Sequence, residues 1–184
     1  HPNGKFIYTV ELDNHRVQKF FPNGTFISKF GYEKTGGDAE KRNPHQLYVD
    51  FYGNIYLSDR RNSEILKFKD NGEFIKKWGF EGKQRGGEFI KPHGIVVDPK
   101  NNVYVTDMGN SRIQKFDSDG NFITMWGSKG IGESKFSYSI PGIGIDSSEK
   151  IYVVDRGEAI IQKFDSDGNF ITMWGSKGSN EGEM

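Results

Sequence analysis

The chain has 184 residues, of which 34% are hydrophobic, 14% are aromatic and 24 are glycine. This composition favours short strands joined by tight turns, and it fits helices poorly. The formal net charge is zero, which gives no support to nucleic acid as a partner, and the lack of cysteine excludes disulfides and thiolate metal sites. No apolar run approaches the roughly 20 residues that span a bilayer.

A period of 48 residues runs through the whole chain. Two residue types mark it at equal spacing: Phe20, Phe68, Phe116, Phe164 and Gly31, Gly79, Gly127, Gly175. Residues 114–130 and 162–178 are identical, which indicates internal duplication. Residues 1–31 are a partial unit, residues 32–79, 80–127 and 128–175 are complete units, and residues 176–184 begin another.

One complete unit shows four predicted strands in chain order. The apolar run Gly94–Asp98 predicts an innermost strand that is buried on both faces. Val103–Asp107 is rich in β-branched and aromatic residues and predicts the second strand. Arg112–Phe116 is the third, and a hairpin signal leads to the fourth, Asn121–Trp126. Four antiparallel strands per repeat predict an all-β fold, a β-propeller whose blades cover each other's faces.

Three strings of the third repeat resemble the NHL repeat. They are KPHGIVVD at 91–98, NVYVTD at 102–107 and NSRIQKFD at 110–117. The resemblance extends over essentially the whole chain, although Gln46 and Glu64 depart from the pattern where the third repeat has Gly94 and Arg112. It implies a six-bladed ring, of which residues 1–184 form one incomplete propeller domain with about four repeats. A four-bladed ring and open arcs that associate through their end faces are the alternatives.

The resemblance also implies a range of functions. Many NHL domains bind proteins, some bind RNA, and a related group contains the peptidylglycine amidating lyases. Resemblance to exported repeat-rich proteins of archaea and bacteria suggests an extracellular or cell-surface location. The sequence contains no nucleophile elbow, phosphate-binding loop or complete dinucleotide fingerprint, so it carries no conventional catalytic signature.

Acidic residues that recur in every repeat are predicted to be structural. Asp59, Asp107 and Asp155 end the second strands, where we expect them to hydrogen-bond the following turn. Residues 117–121 and 165–169, both DSDGN, resemble the start of a calcium loop. A strand follows at once, so the interpretation that the pattern favours is a hairpin turn with glycine in the left-handed region.

Two histidines are the candidate metal ligands. His45 and His93 each follow a proline at the entry to an innermost strand, where side chains can point to the central channel. Histidines in such Pro-His contexts resemble the zinc ligands of amidating lyases. The third equivalent position is Pro141, and a zinc site needs three protein ligands or more. The sequence therefore favours no metal cofactor, with zinc or calcium as the alternative.

The repeats differ most on one rim, where we predict ligand binding. The turns between second and third strands carry Arg60, Arg61, Met108 and Arg156, and the loops between blades carry Lys83, Arg85, Phe136 and Tyr138. The loop residues Tyr32, Lys34, Lys41 and Arg42 belong to the same predicted surface. Arginine and tyrosine are frequent interface anchors.

The predicted function is accordingly a binding scaffold that recognises a protein, peptide or glycan through this rim. Copies of the chain itself, or the rest of the ring, are further predicted partners. A metal-dependent lyase or hydrolase that uses His45 and His93 is the alternative, and an RNA-binding domain is another.

Overall fold

The structure is a computed structural model that describes residues 1–31 and 43–184. The first sheet has three antiparallel strands: β1 (Ile7–Glu11), β2 (Arg16–Phe20) and β3 (Phe26–Gly31). The second sheet has four: β4 (Pro44–Val49), β5 (Ile55–Asp59), β6 (Glu64–Phe68) and β7 (Phe74–Trp78). Two short strands, β8 (Phe80–Glu81) and β9 (Glu88–Phe89), follow in the connecting loop.

The third and fourth sheets repeat the arrangement of the second. The third contains β10 (Pro92–Val97), β11 (Val103–Asp107), β12 (Arg112–Phe116) and β13 (Phe122–Trp126). A second short pair, β14 (Ser128–Lys129) and β15 (Lys135–Phe136), precedes β16 (Gly142–Ile145), β17 (Ile151–Asp155), β18 (Ile160–Phe164) and β19 (Phe170–Trp174). The predicted all-β fold of four-stranded antiparallel sheets is confirmed. Within the described residues, no helix is both long and apolar enough to cross a membrane.

Three hydrophobic clusters hold the sheets together, one between each neighbouring pair. Val17 of the first sheet packs with Leu57 and Phe68 of the second, and Tyr56 of the second packs in one cluster with Ile95 of the third. The largest cluster joins the third and fourth sheets. Because the clusters lie between sheets, each sheet depends on its neighbours to bury its faces.

The two short parallel pairs are the feature that the sequence did not predict. The pairs β8–β9 and β14–β15 each end in a phenylalanine that is completely buried, Phe89 in the first and Phe136 in the second. Each pair therefore anchors the loop between two sheets by inserting one aromatic ring into the core. Phe136, which the sequence assigned to the variable rim, is a core residue, and its ring packs against Phe164 with a centroid distance of 6.0 Å.

Candidate functional site

The candidate site lies at the end of the sheets where the innermost strands β4, β10 and β16 begin. We call this surface the entry rim; it consists of the turns between second and third strands and the loops 80–91 and 128–141. The same backbone hydrogen bond joins turn to strand entry in each complete sheet: Arg60 N to Asn43 O (3.0 Å), Gly109 N to Ile90 O (2.8 Å) and Arg156 N to Ser139 O (2.9 Å). The opposite end of the sheets is called the hairpin rim.

The recurring aspartates hold the backbone of the entry rim in place through hydrogen bonds. Asp59 accepts hydrogen bonds from the backbone N–H groups of Arg61 and Asn62 (both 3.1 Å), in the turn that follows. Asp155 does the same for Gly157 (3.0 Å) and Glu158 (3.2 Å). The structural role predicted for these aspartates is confirmed.

The same aspartates also hold the loops that enter each sheet, a role that the sequence did not predict. Asp59 accepts a hydrogen bond from the N–H of Asn43, Asp107 from that of Ile90, and Asp155 from that of Ser137. Each carboxylate therefore fixes both the turn and the loop of the entry rim in its sheet.

A buried arginine fixes the loop that carries Lys83 and Arg85. The Arg112 side chain donates from Nε to Asp107 Oδ2 (2.8 Å) and from its terminal nitrogens to the carbonyls of Lys83 (3.2 Å), Arg85 (3.3 Å) and Glu88 (2.6 Å). Burial raises the pKa of Asp107 in spite of these contacts. Because the guanidinium holds three backbone groups at once, the loop is preorganised before any ligand arrives.

The Glu88 carboxylate closes the same loop from the outside. It accepts hydrogen bonds from the backbone N–H groups of Gln84 (2.7 Å) and Arg85 (3.1 Å), and these bonds lower the pKa of Glu88. Gln114 completes the support, since its side chain accepts from Gly87 N (2.9 Å) and donates to the Glu88 carbonyl (2.6 Å).

The structure brings the candidate binding residues to the entry rim with different exposures. Five are exposed: Arg61, Lys83, Arg85, Tyr138 and Arg156. Arg60 is partly buried, and Met108 is partly buried because it packs against the core between the third and fourth sheets. The loop residues Tyr32, Lys34, Lys41 and Arg42 lie outside the described residues. A ligand for this surface stays a prediction.

Two neighbouring clefts open on the entry rim. The larger, with a volume of about 660 Å³, lies between Lys83 on one loop and Lys129 on the next, above Met125. The smaller, of about 410 Å³, lies between Lys129, Ile131 and Tyr138. Sequence reasoning missed Lys129 and Met125, because both lie in the stretch that recurs unchanged at 162–178, whereas the binding surface was predicted where the repeats differ.

The histidines of the Pro-His pairs are brought into contact at the beginning of the innermost strands. The His45 and His93 rings are in tilted contact, with their centroids 3.9 Å apart and their planes at 41°, and His93 Nδ1 lies 2.8 Å from the carbonyl oxygen of Pro141. Burial, the neighbouring His45 and the charge of Arg60 lower the pKa of His93 to about 4. Burial and Arg60 also lower the pKa of His45. Both rings are therefore neutral at pH 7, with His93 Nδ1 as the donor to the Pro141 carbonyl and Nε2 as the nitrogen that carries no proton.

The fit of this pair to a metal ion is incomplete. A neutral imidazole with its other nitrogen bonded to a carbonyl is the state in which histidine binds metals. Residues 1–31 and 43–184, however, contain no group of three His, Cys, Asp or Glu side chains placed to share an ion. Two imidazoles fall short of the three protein ligands that zinc requires, so no chemical step through a metal follows from the described residues.

The calcium-like segments are hairpin turns. Asp117 Oδ1 accepts hydrogen bonds from the N–H groups of Asp119 (2.8 Å) and Asn121 (2.9 Å), and Gly120 has a φ of +77°. The twin segment at 165–169 repeats the first pattern, with both bonds to Asp165 at 2.9 Å. The carboxylates are thus occupied in closing the turn, as the sequence indicated.

Comparisons with known proteins agree with this architecture. The family model for the NHL repeat matches residues 89–116, whereas no curated protein matches the chain. A streptogramin B lyase structure is similar with a TM-score of 0.71 and 16% identity, over 95% of this chain and 52% of the lyase. The catalytically inactive H270A virginiamycin B lyase from Staphylococcus aureus with quinupristin has a TM-score of 0.63 and 16% identity, over 95% of this chain and 57% of that one.

A protein of unknown function from Bacteroides caccae is also similar, with a TM-score of 0.62 and 12% identity, over 86% of this chain and 58% of its own. The chain thus spans a little more than half the length of these structures. At such identities the likeness shows the fold alone. The family match, which runs from β9 to the end of β12, confirms the predicted resemblance to the NHL repeat in that segment, and the similar structures confirm the β-propeller-like fold.

Proposed function

We propose that the protein is a binding module that recognises an acidic segment of a protein or peptide at its entry rim. The observation that carries the proposal is the larger cleft. Lys83 and Lys129 stand on its two sides, Met125 provides an apolar surface, and no aspartate or glutamate is among the described residues that line it. Such a surface suits a ligand that combines carboxylates with short apolar side chains.

Rigidity of the loop supports the same proposal. Arg112, Glu88 and Gln114 hold the backbone of residues 83–88 through hydrogen bonds, so a ligand does not have to order it. Ordering a flexible loop costs free energy when a ligand binds. A loop that is already fixed avoids this cost, so the net binding free energy is more favourable. The basic side chains themselves stay exposed, and the electrostatic part of the affinity should fall as salt is added.

The test is a titration of a labelled oligoglutamate peptide, followed by fluorescence anisotropy. The variant Lys83→Glu/Arg85→Glu/Lys129→Glu should weaken binding by about threefold to a hundredfold, because three exposed charge contacts contribute about 0.2–1 kcal/mol each. Lys100→Glu, an exposed lysine on the hairpin rim, is the matched control. Equal binding by the triple variant and the wild type would contradict the proposal, as would preference for a neutral chitooligosaccharide or for single-stranded oligouridine.

A second candidate is a lyase or hydrolase centred on His93. The observation in its favour is the neutral imidazole of His93, oriented by the Pro141 carbonyl and in contact with His45. Such a group can accept a proton from a substrate through Nε2. The likeness in fold to the streptogramin B lyases makes quinupristin a reasonable first probe.

Chromatography of quinupristin after incubation with the protein tests this candidate. Consumption that His93→Ala abolishes, while the hairpin-rim variant Lys100→Glu retains it, would support it. If the wild-type protein leaves quinupristin intact both alone and with added divalent cations, this probe gives the second candidate no support.

A further inference from the structure

The turns between the first and second strands of the three complete sheets share one hydrogen-bonded frame on the hairpin rim. They comprise residues 50–54, 98–102 and 146–150. The first residue of each turn is an aspartate, and its Oδ1 accepts the N–H of the residue four positions later at 2.8–2.9 Å. Its Oδ2 accepts the hydroxyl of a second-strand tyrosine: Tyr56, Tyr104 or Tyr152. The frame therefore does not depend on the second and third residues of the turn.

Of these three turns, only the one in the second sheet has aromatic residues at those two positions. Phe51 and Tyr52 stand where the third sheet has proline and lysine and the fourth has two serines. Their side chains are 77% and 71% exposed, and their rings meet at 88° with centroids 6.0 Å apart. Because the same frame forms without aromatic rings in the other two sheets, the fold does not account for these exposed rings, and a binding role does.

The two rings border a cavity of about 480 Å³ between the ends of the innermost strands β4, β10 and β16. Tyr48 adds a third aromatic ring, and it packs against the hydrophobic clusters on both sides of its sheet. Asp98 and Asp146 line the cavity from the third and fourth sheets, and no lysine or arginine is among the described residues that line it. The cavity thus combines aromatic faces with negative charge.

The two carboxylates of the cavity have most of their hydrogen-bonding capacity used within their own turns. Asp98 accepts two hydrogen bonds from Asn102 (2.8 and 2.7 Å) and one from a tyrosine hydroxyl (3.0 Å). Asp146 accepts two from backbone N–H groups and one from a tyrosine hydroxyl, and the bonds from Lys150 and Tyr152 lower its pKa. Both residues therefore present charge to the cavity but few free acceptor sites.

We infer that this cavity binds a small soluble quaternary ammonium compound. A trimethylammonium group carries a positive charge but no N–H, so it suits aromatic faces and carboxylates whose acceptor sites are already taken. A primary ammonium brings three donors that would compete for the few sites left on Asp98 and Asp146. The volume of about 480 Å³ is that of a small-molecule site. The cavity is separate from the entry rim and does not depend on the function proposed there.

The test is a titration with choline to about 50 mM at constant ionic strength, followed through the NMR chemical shifts of residues 48–52. Ethanolamine, a primary ammonium, and neohexyl alcohol, the uncharged isostere of choline, are the comparison ligands. We expect choline to bind at least about fivefold more tightly than either. Absence of choline binding would overturn the inference, and so would equal or tighter binding of ethanolamine or the alcohol.

The aromatic contribution is tested by Phe51→Ser/Tyr52→Ser, which gives the second sheet the two serines of the fourth. Since the fourth sheet forms the same turn with serines, this variant should fold, and circular dichroism checks it. Choline binding should weaken at least about fivefold. Phe26→Ala, which removes a 51% exposed phenylalanine from β3, is the matched control and should bind choline as the wild type does. Wild-type affinity in the double serine variant would overturn the inference.

The contribution of charge is tested at Ser147, an exposed residue that lines the cavity beside Asp146. Ser147→Lys should weaken choline binding at least about threefold and leave the binding of neohexyl alcohol unchanged, whereas the uncharged Ser147→Gln should bind choline as the wild type does. An equal loss in both variants would overturn the electrostatic basis of the inference.

Sedimentation with phosphatidylcholine vesicles separates a free solute from a lipid headgroup, which carries the same trimethylammonium group. We expect the protein to stay in the supernatant. Cosedimentation that Phe51→Ser/Tyr52→Ser abolishes would assign the cavity to a membrane surface and overturn its assignment to a soluble compound.

Discussion

The third and fourth sheets share most of their sequence and differ in their surroundings. Residues 114–130 and 162–178 are identical, yet Lys115 is buried where Lys163 is partly buried, and Trp126 is partly buried where Trp174 is exposed. In the part of the chain that the structure describes, hydrophobic clusters join the third sheet to both the second and the fourth, whereas one cluster joins the fourth sheet to the third. The burial of these identical residues therefore depends on the neighbouring sheet and not on the local sequence alone, which makes the two sheets natural controls for each other.

The largest expected effect comes from the position at which the two sheets differ most in chemistry, Arg112 in the third and Ile160 in the fourth. Arg112→Ile gives the third sheet the residue that the fourth sheet has at this position. It leaves the fully buried Asp107 carboxylate without its cation. We expect the free energy of unfolding to fall by about 3–5 kcal/mol. Urea denaturation measures it.

Hydrogen exchange of the amides in residues 83–88 measures the local effect of that substitution. Exchange there should become faster, because the carbonyls of this loop no longer accept hydrogen bonds from the Arg112 guanidinium. The double variant Arg112→Ile/Asp107→Asn should recover part of the loss because it removes the uncompensated charge. An unchanged unfolding midpoint for Arg112→Ile would show that the buried ion pair does not stabilise the third sheet.

Next in size is the contrast between two tryptophans in identical sequence. Trp126 is covered by Gly168 and packs near Phe164 with a centroid distance of 5.9 Å, whereas Trp174 is 45% exposed. Trp126→Ala should lower the free energy of unfolding by about 2–3 kcal/mol, and Trp174→Ala by less than about 1 kcal/mol. Thermal and urea unfolding measure both. Equal losses would mean that local sequence, not the neighbouring sheet, sets the stabilisation.

The strands and turns could be read from the sequence because they depend on short-range chemistry. Alternating or continuous apolar runs gave β10–β13, and the Asp117 hairpin followed from its turn residues. The burial of Phe136, the contact of His45 with His93 and the Lys83–Lys129 cleft could not be predicted in this way. All three depend on how far one sheet is rotated against the next, and a repeat pattern contains no such information.

A smaller effect concerns the loss of stability in acid. His93 of the third sheet can contribute to this loss, whereas the fourth sheet has Pro141, which does not titrate, at the equivalent position. The folded pKa of His93, about 4, lies below the ordinary value of 6.5, so the unfolded chain takes up the proton first as the pH falls. Stability is then fully present above pH 6.5 and is lost towards pH 4. Between pH 7 and 5 we expect a loss of about 1–2 kcal/mol, discounted for partial exposure.

That acid response should become flatter in His93→Gln. The difference between the wild type and His93→Gln between pH 7 and 5 isolates the histidine, because the carboxylates, including Asp107 with its raised pKa, are present in both proteins. Urea titrations at several pH values measure the slope. A slope that His93→Gln leaves unchanged would assign the acid response to other groups, with His45 first among them, as its pKa is also lowered.

The smallest expected effect tests the lysine contact between sheets. Lys115 Nζ donates to the Ser166 carbonyl at 2.8 Å, and its side chain is 9% exposed. Lys115→Met keeps most of the aliphatic packing and removes the hydrogen bond, so the free energy of unfolding should fall by about 1 kcal/mol. Lys163→Met, at the equivalent position of the fourth sheet, should change the free energy of unfolding very little, since Lys163 lies over the Tyr152 ring of its own sheet. Both lysines lie in the sequence QKFDSDG, so a difference in unfolding free energy between the two variants measures what the neighbouring hairpin contributes. Equal losses of unfolding free energy would show instead that each lysine acts within its own sheet, through Tyr104 or Tyr152.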